Sequence, residues 1–366
     1  MMERSFLQAT LQKVSERMMR LDNQGQVEKF PVSLLDMQCW EWPQGVGLLG
    51  LTKYALAQDD QSVLAFVEDW YDRHMPAMDT VERNVNSTAP MLALTYLAQR
   101  KPKPEYLALM ESWADWTMDP QGLLRTGDGC IQHMITGDPN DGQLLIDTLF
   151  MTVLFMIRAG TMLKRPEMVS EANYQILAHI KYLFDPACGL FYHGWSFQDM
   201  NRYGGVHWLR GNAWYTVGCI DFITEQEALA DEVRRFFLAT LERQAGALLQ
   251  TCDAQTGLWH TVIDEPSSYL ELSGSAGCLC GMMKAVRLGF LDEKRYLPLI
   301  RRGIVSALGY IGADGSVANV SYGTPVGMDK QFYMDIPCFV MTYGQAAMIL
   351  MLEEAMNPYW AGLLDG

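Results

Sequence analysis

Residues Gly211 to Gln244 read GNAWYTVGCIDFITEQEALADEVRRFFLATLERQ, and the two halves of the stretch follow different rules. Up to Ile223, small and apolar side chains occupy most faces of a helix with about 3.6 residues per turn, the pattern of a helix enclosed on all sides. From Glu227 onward the charges gather on an outer stripe, so this second helix has a wet face and a dry one. Only a few residues join the two. The unit is a helical hairpin with an inner and an outer arm.

The alternation continues in both directions. GVGLLGLTKYAL, SGSAGCLCGMMKAV and YGQAAMILMLEEA are further inner arms, and EKRYLPLIRRGIVSAL is another outer one. Periodicity predicts twelve helices, roughly at 2–22, 43–58, 61–77, 88–100, 103–116, 146–163, 167–184, 212–223, 226–250, 271–289, 293–310 and 341–355. Convincing alternating strands are nearly absent. Connections are short after every second helix, as at Gln58 to Gln61, Arg100 to Lys103 and Lys164 to Glu167, and long after the others.

The long connections share a turn signal: DPQGLL from Asp119, DPACGLFYH from Asp185, DAQTGLWH from Asp253 and ADGSVANV around Asp314. That spacing is a repeat of roughly 60–70 residues in which each unit buries its face on the next. The expected fold is all-α, a single (α/α)6-barrel domain over residues 1–366 built of six hairpins, with an open solenoid as the alternative. Closure gathers the long loops at the N-terminal ends of the inner helices, and a ligand site belongs there.

Composition narrows the function. With 366 residues, 49% hydrophobic and 19% charged, the chain can bury a large core and is not of a disordered class. A net charge of −15, without any compensating basic block, argues against nucleic acid or an anionic membrane surface as partner. The eight cysteines are scattered, only Cys278 and Cys280 lying close, so neither a zinc spacing nor a disulfide framework emerges. No metal or cofactor is expected, and no nucleotide-binding glycine motif occurs. MMERSFLQATLQKVSERMMRL lacks the pattern of a signal peptide, and no apolar run suits a membrane span. The expectation is a cytoplasmic protein, monomeric or weakly self-associating.

Polar and aromatic residues concentrate in the long loops: DMQCWEWPQG (36–45), RNVNSTAP (83–90), HMITGDPNDGQLLIDT (133–148), FYHGWSF (191–197) and HWLRGNAW (207–214). Trp, His, Arg and Asn around a cleft are the groups that stack on sugar rings and bond hydroxyls, so carbohydrate is the natural ligand class. Asp147, in LLIDTLFM at the start of an inner helix, reads either as a helix-start carboxylate or as an acid whose pKa an apolar enclosure raises. His133 and His193 lie in loops, where each either bonds a backbone carbonyl or faces the ligand. Arg210, between Trp208 and Trp214, either stacks in an aromatic wall or presents its fork to a carboxylate, the latter being favoured. Of Trp40 and Trp42, bordering the second helix, one is expected to be core, and Trp42 is taken with Asn86 for the sugar site.

Taken together, WPQGVGLLGL, NSTAPMLAL, LLIDTLFM, FYHGW, HWLRGNAW and SGSAGCLCGMMKA resemble the unsaturated rhamnogalacturonyl hydrolases, glycoside hydrolase family 105, over about residues 35 to 352. The pairing of a D-T-L-F-M block with a later W-x-R-G-N-x-W block is the specific part. The resemblance implies Asp147 as catalytic acid and base, with Trp208, Arg210, Trp214, His193 and His133 lining the sugar site. Related enzymes often place a second aspartate before the fourth helix, where this chain has Asn84, Val85, Asn86 and Ser87.

The implied substrate is an unsaturated galacturonyl oligosaccharide left by a pectin or rhamnogalacturonan lyase. Its hydration needs one strong acid rather than the two carboxylates of ordinary glycosidases. Three alternatives stay open: an inverting glycosidase with Glu41 or Asp138 as second carboxylate, an epimerase using His133 and His193, and a carbohydrate-binding protein without turnover.

Overall fold

The computed structural model describes residues 3–22 and 36–364. Helix α8 (Leu209–Thr224) buries every residue from Leu209 to Ile223, whereas α9 (Asp231–Thr251) buries only a stripe that includes Phe237, Leu241, Gln244 and Leu248. The same division separates the other inner helices, α2 (Trp42–Gln58), α4 (Ala89–Arg100), α6 (Leu154–Met162), α10 (Leu272–Arg287) and α13 (Thr342–Ala355), from the outer ones. The outer helices are α1 (Arg4–Met19), α3 (Gln61–His74), α5 (Pro104–Met118), α7 (Pro166–Leu183) and α11 (Glu293–Leu308). A short α12 (Lys330–Met334) lies in the last long loop.

The inner helices pack in the cyclic order α2, α4, α6, α8, α10, α13, and α13 returns to α2. Each carries its outer partner, and the last, α13, is backed by the first helix of the chain, α1. This closed ring is the six-hairpin (α/α)6 barrel, so the open solenoid is excluded. Gln345 on α13 ties the closure by donating to the Val14 carbonyl of α1 at 3.1 Å.

The small residues of the inner arms are what let the ring close. A Cβ added at Gly281 of α10 would sit 2.2 Å from the Thr216 carbonyl oxygen of α8, and one at Gly45 of α2 would sit 2.4 Å from the Pro90 nitrogen of α4. Backbone meets backbone at those points, and no side chain fits between.

The recurring turn signal is an aspartate that folds its own loop. Asp119, Asp185, Asp253 and Asp314 each accept a hydrogen bond from a backbone N–H two or three residues on, at 2.7–3.0 Å. Short antiparallel ribbons line these loops: β1 (Arg125–Thr126) with β2 (Cys130–Ile131), β3 (Gln143–Leu145) with β6 (Gly194–Ser196), β4 (Phe184–Asp185) with β5 (Leu190–Phe191), and β7 (Val320–Ser321) with β8 (Cys338–Phe339). The β3–β6 pair fastens the loop before α6 to the loop before α8, and the active-site candidates sit beside it.

Several boundaries differ from expectation. Helix α8 begins at Leu209 rather than at 212, because Trp208 serves as its N-cap without a capping side chain. Helix α9 begins at Asp231 rather than at 226. A wide π turn, Leu149–Val153, precedes α6, a feature frequent at functional sites. Among the described residues no helix is long and apolar enough to cross a membrane.

The far end of the barrel is closed by charge. Asp221 of α8 lies between Lys53 of α2, at 2.8 Å, and Lys284 of α10, at 3.0 Å. Arg158 of α6 pairs with Glu225 and donates to Thr95 at 2.8 Å, and Arg287 of α10 meets Glu354 of α13 at 2.6 Å. Burial pushes the Asp221 carboxyl up, but the two ammonium groups outweigh it and hold it well below the carboxylate range.

Candidate active site

Asp147 stands where its chain turns from β3 into the π turn. Its carbonyl accepts the N–H groups of Phe150 and Met151 at 3.0 Å, so its backbone starts the helix. Its side chain does something else: Oδ1 accepts from the Trp214 indole Nε1 at 3.0 Å, and Oδ2 faces His193 Nε2 at 3.2 Å. The helix-start carboxylate reading therefore fails for the side chain, which is turned across the barrel toward α8.

The state of His193 follows from its other neighbour. The Gly327 N–H donates to the Tyr333 hydroxyl oxygen at 3.1 Å, so the hydroxyl proton is free to go to His193 Nδ1, 2.7 Å away. With Nδ1 accepting, the ring proton belongs on Nε2, the nitrogen nearer Asp147. Asp147 Oδ2 and His193 Nε2 are both closed off from solvent, and neither has an aligned hydrogen-bond partner. Each is the other's nearest recourse.

Burial pushes Asp147 up, yet His193, His133 and Arg210 together outweigh it and hold the carboxyl below its ordinary value. In the free protein it is a carboxylate. Burial drives His133 down to about 4, so that ring is neutral at physiological pH, with Nδ1 against the Thr148 hydroxyl at 2.9 Å. Neither histidine ring bonds a backbone carbonyl, and both belong to the surroundings of Asp147.

A continuous stack of rings runs beside the carboxylate. Trp42 stacks on Tyr343 at 4.6 Å, the Arg210 guanidinium lies between Tyr343 at 4.7 Å and Trp208 at 4.6 Å, and His193 packs on Trp208 at 4.3 Å. The column joins α2, α13 and α8. Trp208 is 2% exposed and works as a buried support, whereas Trp214 packs on Phe150 and lines a small internal cavity of about 20 Å³ with Arg210, Ser273 and Tyr343. Of the pair at the start of α2, Trp42 is the buried core member, while Trp40, partly buried, packs against the core and stacks on Trp70 at 5.2 Å.

Arg210 departs from expectation. Its Nη1 donates to both Ser321 oxygens and Ser273, and its Nη2 to the Tyr322 carbonyl and Thr324, at 2.5–3.2 Å. With both terminal nitrogens bonded to protein oxygens and Nε buried without a partner, the guanidinium is not an open clamp for a substrate carboxylate. The aromatic-wall reading describes it better. Glu271, fully buried, supports this arrangement by capping α10 through Ser273 and Gly274 and by accepting the Ser321 N–H.

The segment without the second aspartate is used structurally. Asn84 accepts the Ser87 N–H at 2.8 Å while Ser87 Oγ accepts the Asn84 N–H at 2.9 Å, a reciprocal box that starts the turn before α4. Asn84 Nδ2 donates to Thr136 Oγ1, which donates to Glu41 at 2.9 Å. Burial, with Glu82 adding to it, raises the Glu41 carboxyl. Asn86 is half-buried at the head of this turn, and among the described residues its side chain makes no hydrogen bond. Asp138 folds its own exposed turn by accepting the Asn140 N–H.

Tyr333 and Tyr343 were not singled out in the sequence. Tyr333 lies in α12, too short for a periodic signal, and Tyr343 sits in an inner arm that reads as plain core. A larger cavity, about 600 Å³, opens elsewhere, between the start of α7 and the α8–α9 connection, among Lys164, Arg165, Val169, Tyr174 and Leu229. Among the described residues it holds no paired acid and base.

Comparison with known proteins places the chain in a family. Residues 10–358 match glycosyl hydrolase family 88. The chain is 26% identical to the unsaturated rhamnogalacturonyl hydrolase YesR of Bacillus subtilis over 324 residues, covering 87% of this chain and 90% of that protein. It is 23% identical to an unsaturated 3S-rhamnoglycuronyl hydrolase of an Alteromonas species, over 75% of this chain and 69% of that one. A solved structure from Salmonella enterica, described as a possible member of family GH105, superposes with a TM-score of 0.91 at 35% identity, covering 98% of this chain and 95% of that one. With its barrel closed, its carboxylate enclosed and the match running nearly end to end, the chain belongs to glycosyl hydrolase family 88.

Proposed function

We propose that the protein releases the 4,5-unsaturated galacturonyl residue from lyase-generated rhamnogalacturonan or pectin oligosaccharides by hydrating the double bond, with Asp147 as acid and base. The observation that carries this reading is the enclosed Asp147 carboxylate, held by the Trp214 indole at 3.0 Å and with His193 Nε2 3.2 Å from its other oxygen. The activities named for the Bacillus and Alteromonas relatives support the substrate class. The eight cysteines are unpaired thiols, in keeping with a reducing cytoplasm.

In the free protein Asp147 is ionised. A uronate entering the pocket brings a second negative charge and displaces water, and both effects raise the Asp147 pKa, so the carboxyl takes up a proton from solvent as the complex forms. It then delivers that proton to carbon 4 of the enol ether. Positive charge develops at carbon 5 and the ring oxygen, and water adds at carbon 5 while the Asp147 carboxylate receives its proton. The hemiketal opens, and collapse of the hemiacetal at carbon 1 expels the neighbouring sugar. Arg210, its charge matched by buried Glu271 at 3.7 Å, holds the aromatic column in place between Tyr343 and Trp208. Trp214 orients Asp147, and Trp42, Asn86 and His133 complete the sugar-facing wall.

The test is loss of the ultraviolet absorbance band of the conjugated uronate on an unsaturated rhamnogalacturonan disaccharide, with the products identified. Bleaching with release of rhamnose is expected. Sugar release that leaves the double bond intact, or binding without bleaching on any unsaturated uronide, sinks the proposal.

Tyr333 gives a second test of the same geometry. Tyr333→Phe leaves His193 Nδ1 without its donor, frees the ring to change tautomer and is expected to lower kcat about tenfold with little change in KM. A variant with unchanged kcat would show that the hydroxyl does not set the ring.

A further inference from the structure

Behind the His193 and Trp208 layer lies a second cluster that the hydration reaction does not use. The β4–β5 hairpin turns at Gly189, whose φ of +84° favours glycine, and it carries Asp185 and Cys188 on its turn. His207, in the segment before α8, reaches the same spot. Its Nε2 lies 3.6 Å from Cys188 Sγ and 3.8 Å from Asp185 Oδ2, and the three candidate ligand atoms all fall within 4.8 Å of one another.

The second nitrogen of His207 is also committed. Nδ1 faces Asp264 Oδ2 at 3.3 Å, and Asp264 is paired in turn with Lys330 at 3.3 Å. A carboxylate on Nδ1 keeps the proton there and leaves the Nε2 lone pair directed at the sulfur and the Asp185 oxygen, the arrangement found behind most metal-bound histidines. Four ligands at zinc, bonded at about 2.0–2.3 Å, stand roughly 3.3–3.8 Å apart along the edges of the tetrahedron. The two measured edges at His207 match that spacing. Cys188 is exposed, which leaves room for water as the fourth ligand.

We infer that Asp185, Cys188 and His207 form a binding site for a zinc-class divalent ion, completed by water. The mixed thiolate, imidazole and carboxylate set selects a borderline ion such as zinc over magnesium or calcium. Binding displaces the Cys188 thiol proton to solvent. The ion pins the β4–β5 hairpin to the approach of α8. Tyr192 stacks on His207 at 4.4 Å while the next residue, His193, stacks on Trp208, so the pin lies directly behind the layer that faces Asp147. The expectation that no metal binds came from ligands scattered along the sequence, and the fold draws three of them together.

Cobalt is the probe. Chelator-stripped protein titrated with Co²⁺ is expected to develop a thiolate-to-cobalt charge-transfer band and the visible bands of a tetrahedral ion, saturating at one ion per chain and bleached by Zn²⁺. Cys188→Ser and His207→Gln should each abolish the charge-transfer band or weaken binding at least tenfold. Zn²⁺ should raise the Tm of the unsubstituted protein by a few degrees and leave that of Cys188→Ser unchanged. Because Cys188 is exposed on a turn, the serine variant keeps the fold, which circular dichroism verifies, and Asp185→Asn serves as a further variant. No band at stoichiometric Co²⁺, or a band unchanged in Cys188→Ser or His207→Gln, overturns the assignment.

Discussion

Replacing Asp147 by Asn is expected to lower kcat on an unsaturated uronyl disaccharide by about 10³–10⁴-fold while leaving the barrel intact. The amide keeps the shape and can still accept from the Trp214 indole, so folding is spared. It cannot carry a transferable proton, so the chemistry is not. The sign of the pH effect also follows. In the free protein His193, His133 and Arg210 hold Asp147 below its ordinary value, and the bound uronate moves it upward. The basic limb of kcat, which reports the complex, should therefore lie at higher pH than that of kcat/KM, which reports the free enzyme. Coincident limbs would mean that the substrate charge does not reach Asp147. An Asn variant with near-normal turnover would remove Asp147 from the mechanism.

The largest effect on stability is expected at the other end of the barrel. Asp221→Asn removes the one carboxylate that lies between Lys53 and Lys284 and leaves two buried ammonium groups to repel each other. Breaking a buried pair on one side costs about 3–5 kcal/mol, which for a chain of this size lowers Tm by roughly 4–7 °C. The same group sets a pH dependence. Its pKa is depressed in the folded protein, so its stabilisation is present above the unfolded value of about 3.9 and is lost as pH falls toward the lower folded value. The Tm difference between the original protein and the variant should thus shrink on acidification below that point. Denaturation curves at neutral and acid pH measure it, and a constant difference would show that the charge of Asp221 does not hold this end together.

Much of the barrel was readable because its inner helices must be buried on every face. A helix such as Gly211 to Ile223 has no solvent-facing stripe to hide its role, and Gly281 and Gly45 are small because neighbouring backbones touch there. The turn aspartates Asp119, Asp185, Asp253 and Asp314 were equally legible, since each acts within three residues of itself. Boundaries were less so. Trp208 caps α8 without a capping side chain, and the π turn after Asp147 leaves no mark in periodicity.

In the site, Asp147 and the blocks around Trp208 and Trp214 could be named from the chain, but not their partners. His193 receives its proton donor from Tyr333, 140 residues away, and Arg210 gives its fork to Ser321, Tyr322 and Thr324, more than 110 residues on. Nothing local distinguishes a free guanidinium from one whose terminal nitrogens are taken. The net charge of −15 likewise says nothing of a pocket where two histidines and an arginine face one carboxylate. Whether Asp147 is ionised depends on the balance of burial against those three groups, and that balance is set by distance. The hairpin repeat and the inner and outer faces are properties of sequence pattern, because they depend on neighbours a few residues away. The direction of Asp147, the tautomer of His193, the filling of the Arg210 fork and the meeting of Asp185, Cys188 and His207 belong to tertiary structure alone, because ring closure decides which distant loops share one mouth.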